Sequence, residues 1–71
     1  MTKQVARRVH QLRTGPVQHS LRRIAEVICE EHPDYIIAEY GQGSEAHLHG
    51  NQLLGYELVS DASIYLGETF D

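Results

Sequence analysis

Cys29 is the only cysteine in this chain of 71 residues, so no disulfide can close within it. A chain of this size buries only about 60% of the surface that its unfolded form exposes. Order must then come from a small, well-packed apolar core, from a metal, or from a second subunit. The apolar pattern therefore decides which folds are open to it. A lone thiol also suits a reducing compartment. No apolar run approaches the roughly 20 residues of a membrane span. The opening MTKQVARRVHQLR lacks the continuous apolar stretch of a secretory signal. A cytoplasmic protein with no membrane contact is expected.

In the first segment Val5, Val9 and Leu12 stand at i, i+4 and i+7, one face of a helix, with Thr2 placed to cap its start. Thr14-Gly15-Pro16 should stop it, with Gly15 in a left-handed conformation. Pro16 then suits the first position of a second helix, along which Val17, Leu21, Ile24 and Ile28 form a stripe. His32 precedes Pro33, where helical backbone is disfavoured. Helices over about residues 3–13 and 16–31 are predicted, folded back as an antiparallel hairpin.

After Pro33 the apolar period reads as two. Segments 35–40 (YIIAEY), 45–49 (EAHLH), 53–59 (LLGYELV) and 63–67 (SIYLG) look like strands separated by turn residues. The fold expected is a single α+β domain, an αα-hairpin on a three- or four-stranded antiparallel sheet. With Tyr40 opposite Ala46, the residues Ile36, Ala38, Tyr40, Ala46, Leu48, Leu54, Tyr56 and Leu58 face the helices. Glu39, Glu45, His47, His49 and Glu57 face away, together with Ile37, Leu53 and Val59. Apolar side chains mixed with charges on such a face suggest that a partner covers it, so Ile37, Leu53, Val59, Glu39 and Glu57 are candidate protein contacts.

Charge is distributed unevenly. All six basic residues lie in positions 1–23 and all ten acidic residues from Glu26 onward, giving +6 against −10. Such asymmetry suits a charged partner or internal pairing, and Lys3 and Arg7 should come alongside Glu26 and Glu30 in the hairpin. Arg8, Arg13, Arg22 and Arg23 would remain near its tip as a candidate phosphate-binding surface. The acidic half could in turn present a phosphate-like surface to a basic protein.

His47 and His49 point to one side of a strand, and Glu39 across from them would complete a two-histidine, one-carboxylate metal set. Gly41, His47 and His49 resemble the opening of the first cupin motif over nine residues. The glutamate of that motif is replaced by Leu53 and Leu54 and no second motif follows, so the chain is not assigned to that family. Two histidines on a wet strand face are the simpler reading. Cys29 has acidic neighbours, which do not favour a thiolate, and reads as a small core residue. No serine sits in a G-x-S-x-G setting, and GQGS lacks the lysine of a phosphate loop.

The expectation is a non-enzymatic protein-interaction or regulatory module without a cofactor, a homo-oligomer or the binder of another protein. Nucleic-acid binding through the basic hairpin is the first alternative, and metal binding at His47 and His49 the second.

Overall fold

A computed structural model describes residues 1–41 and 52–68. The described residues form four helices and no strand: α1 (Lys3–Thr14), α2 (Leu21–Glu31), α3 (Pro33–Tyr40) and α4 (Gln52–Leu66). The α+β expectation is overturned. Segments 35–40, 53–59 and most of 63–67, expected as strands, lie in α3 and α4; 45–49 lies outside the described residues.

α1 begins where the sequence places it. Thr2 is extended and its hydroxyl oxygen accepts from the Val5 N–H at 3.2 Å, satisfying one of the orphan donors of the first turn. Val5, Ala6, Val9 and Leu12 are buried along its inner face. The helix ends at Gly15, whose φ of −73° is not the left-handed conformation expected there.

α2 starts later than proline at 16 would imply. Residues 15–20 form a connection tied back by the His19 N–H donating to the Leu12 carbonyl at 3.0 Å. Ser20, not Pro16, opens the helix, its hydroxyl oxygen accepting from the Arg23 N–H. Val17 therefore leaves the apolar stripe and is exposed, while Ile24, Ala25, Val27, Ile28 and Cys29 are buried.

His32 breaks the helix at φ −136°, as a residue before proline should, but the break is only one residue long. Pro33 then occupies the first turn of α3 and Asp34 lies beside it, at the positive end of the helix dipole. Ile36 is fully buried and Gly41 closes α3 at φ +99°, a backbone state that favours glycine.

α4 is the centre of the assembly. It packs on both α1 and α2 more extensively than they pack on each other. Leu54, Leu58 and Ala62, at i, i+4 and i+8, are buried against them. Gly55 is also buried, and a Cβ placed there would stand 2.0 Å from the Leu21 carbonyl oxygen, so the two backbones touch. The side chains of Ile24, Ile28, Ile36, Leu58, Val5 and Val9 form the fully enclosed heart of a single apolar cluster.

Two tertiary polar contacts fix the outer helices. Arg8 grips the Glu31 carboxylate with both Nε and Nη2 at 2.9 Å, joining α1 to the end of α2. The Tyr40 hydroxyl donates to Asp61 Oδ2 at 2.6 Å, joining α3 to α4. The Tyr35 ring meets Tyr40 edge-on with centroids 6.2 Å apart.

Candidate functional site

Among the described residues the expected sheet face is absent, and the residues placed on it scatter. Ile37 and Glu39 are exposed on α3. Leu53 and Glu57 are exposed on α4, one helical turn apart. Val59 is half-buried and packs on the core. Two of the five candidate contacts thus share a surface, joined there by residues that the strand reading placed elsewhere.

That surface is the outer face of α4. Leu53, Tyr56, Ser60 and Ile64 recur at i, i+3, i+7 and i+11, opposite the buried stripe of Leu54, Leu58 and Ala62. Leu53 is 78% exposed, Tyr56 64% and Ile64 77%. Helices of monomeric proteins usually turn a polar face outward, and one that is apolar all round is ordinarily covered on all sides. Tyr56 and Ile64 were missed because alternation assigned Tyr56 to the core. A period of 3.6 counted from Leu53 finds both.

Three of the six basic residues are answered within the molecule. Arg8 is paired with Glu31, Arg23 with Glu26, and Arg13 Nη1 donates to the His19 carbonyl at 3.5 Å. Lys3 and Arg7 were expected beside Glu26 and Glu30. The pairs formed are instead Arg8 with Glu31 across the hairpin, and Arg23 with Glu26 within α2. His10 Nδ1 also lies 3.3 Å from Glu68 Oε2. Of the four candidate nucleic-acid contacts, Arg8 and Arg23 are ion-paired, Arg13 donates only to a backbone carbonyl, and Arg22 has neither kind of partner among the described residues. The hydrogen bonds from Arg8 hold the Glu31 carboxyl below the usual carboxylate range and raise the Arg8 guanidinium in turn.

A concavity runs along α1 to the end of α2. It is an open groove of about 730 Å³ lined by Lys3, Gln4, Arg7, Arg8, Gln11, Glu31 and His32. A smaller hollow, near 280 Å³, lies between α3, α4 and Met1. Tyr40 beside it has its hydroxyl pushed well above the usual phenol range, first by burial and then by its bond to Asp61.

For the metal reading, His47 and His49 lie outside the described residues, and Glu39 is exposed on a helix rather than across a strand. Among the described residues no group of three or more histidine, cysteine or acidic side chains is placed to hold an ion. Cys29 is 3% exposed within the apolar cluster. No described helix is long and apolar enough to cross a membrane. Comparison of the chain with protein-family models, with curated proteins and with solved structures finds no match in any of the three.

Proposed function

We propose that this chain is a small protein-interaction module that pairs with a second copy of itself through the outer face of α4. The observation that carries this is the exposure of Leu53, Tyr56 and Ile64 on one side of a helix whose other side is core. Moving one large apolar side chain from water to a buried site is worth about 1.5–3 kcal/mol. A two-fold contact counts each such side chain twice, which offsets an association cost of about 4 kcal/mol and upward.

The face also suits its own copy. Two α4 helices laid antiparallel about a midpoint between Leu58 and Val59 set Leu53 opposite the partner's Ile64. They set Glu57 opposite the partner's Ser60, so the acid meets a hydroxyl donor rather than another acid. Sedimentation over a range of concentrations tests this. The wild type should show a mass that rises to that of a dimer. Leu53→Glu combined with Ile64→Glu should remain a monomer with undiminished helical circular dichroism. A wild type that stays monomeric at every soluble concentration, or a dimer that survives both substitutions, overturns the reading.

A further inference from the structure

The groove along α1 is electrically unfinished. Lys3, Arg7 and Gln11 stand at i, i+4 and i+8, a straight row with about 6 Å between successive members. On the far wall Glu31 is the acid that would neutralise them, but both its oxygens are held by Arg8. The same guanidinium donates through Nη1 to Gln11 Oε1 at 3.0 Å, which leaves the amide N–H groups of Gln11 as its remaining polar function. Lys3 and Arg7 have no ion-pair partner among the described residues. The row therefore offers donors only: an ammonium, a guanidinium and an amide.

The position of this charge is unfavourable in the bare protein. Lys3 begins α1, and no acidic residue stands in the first turn to answer the positive end of the helix dipole. Two cations and a dipole end thus share one open concavity without a counter-charge. A dianion is the ligand that relieves it. A phosphate monoester carries about −1.5 to −2 charges at neutral pH and three acceptor oxygens, matching a site of two cations and one neutral donor. The volume of the groove, about 730 Å³, lies in the range of small-molecule sites.

We infer that the groove between α1 and the end of α2 binds a phosphate monoester, with Lys3 and Arg7 as the charge-bearing contacts and Gln11 as a third donor. The Arg8–Glu31 fork forms the far wall, and Arg8 holds the Gln11 side chain in place. This site is separate from the outer face of α4 and does not depend on self-association.

The test is a titration of isotopically labelled protein followed by amide chemical shifts, at constant ionic strength. Adenosine monophosphate and a phosphoserine peptide are added in separate arms, with sodium chloride as the control. Saturable shifts confined to residues 3–11 and 31–32 in either phosphate arm support the site, and the tighter arm names the source of the phosphate. Lys3→Gln with Arg7→Gln should weaken binding by about tenfold or more, as removal of charge-assisted bonds does. Arg22→Gln, an exposed cation on another helix, should leave it unchanged. Shifts no larger than those with chloride, or an equal loss in Arg22→Gln, overturn the inference. All three substituted side chains are exposed, so the folded state survives each change.

Discussion

Gly55 of α4 and Leu21 of α2 are in backbone contact, so close that a Cβ at position 55 would lie 2.0 Å from the Leu21 carbonyl oxygen and 2.5 Å from its carbon. Glycine in a helix interior ordinarily costs about 1 kcal/mol relative to alanine. Here the sign should reverse, because no side chain can enter without moving one helix off the other. Gly55→Ala should destabilise the protein by about 1–3 kcal/mol, the usual cost of overpacking. Denaturant unfolding measures it, and a gain in stability would mean that the helices do not meet at this point.

Leu58 and Tyr56 separate the helical reading of residues 52–66 from a strand. In a strand they share a side with Leu54; in α4 Leu58 is fully buried and Tyr56 is 64% exposed. Leu58→Ala should cost about 2–5 kcal/mol, a large share of the total stability of so small a domain. Tyr56→Ser, measured at concentrations too low for association, should change stability by no more than about 0.5 kcal/mol. Comparable losses for both would restore the sheet.

The Arg8–Glu31 fork has a definite pH signature. Because Arg8 holds the Glu31 carboxyl low, its contribution is complete above the unfolded glutamate value of about 4.3. It fades as pH falls through the lower folded value. Both side chains are a third or more exposed, so the coupling in a double-mutant cycle of Arg8→Gln and Glu31→Gln should be only about 0.2–1 kcal/mol. Wild type should lose more stability on acidification than Glu31→Gln, and the difference should shrink in high salt.

The hydroxyl of Tyr40 gives the opposite limb. Its ionisation is raised in the folded state by burial and by Asp61, so its contribution is complete below the unfolded tyrosine value of about 10 and is lost as pH climbs beyond it. Tyr40→Phe keeps the ring but leaves Asp61 without this donor. At neutral pH it should cost about 1–3 kcal/mol. Above pH of about 10 the wild type should fall toward the variant, a convergence visible in thermal melts.

Much of the first half of the molecule was legible and much of the second was not, for a geometric reason. Positions i and i+4 lie on one side of both a helix and a strand. Ile36 with Tyr40, and Leu54 with Leu58, therefore fit either period. The intervening Ala38 and Tyr56 tipped the reading toward alternation, although both are exposed. Pro33 marks the end of one helix and equally the start of the next, and Ser60-Asp61, between two segments that read as strands, lies within α4. In α1 and α2 the caps Thr2 and Ser20 and stripes with i+3 and i+4 steps admit no strand. Among the candidate contacts, Leu53 and Glu57 share a face under either period, whereas Tyr56 and Ile64 join them only once the helix is known.

The order in which the helices are made has a consequence. α4, the element on which α1 and α2 chiefly rest, is the last of the four to leave the ribosome. A nascent chain halted at residue 41 holds two oily stripes without the rod that covers most of them, and it should be sticky and quickly degraded until translation delivers it.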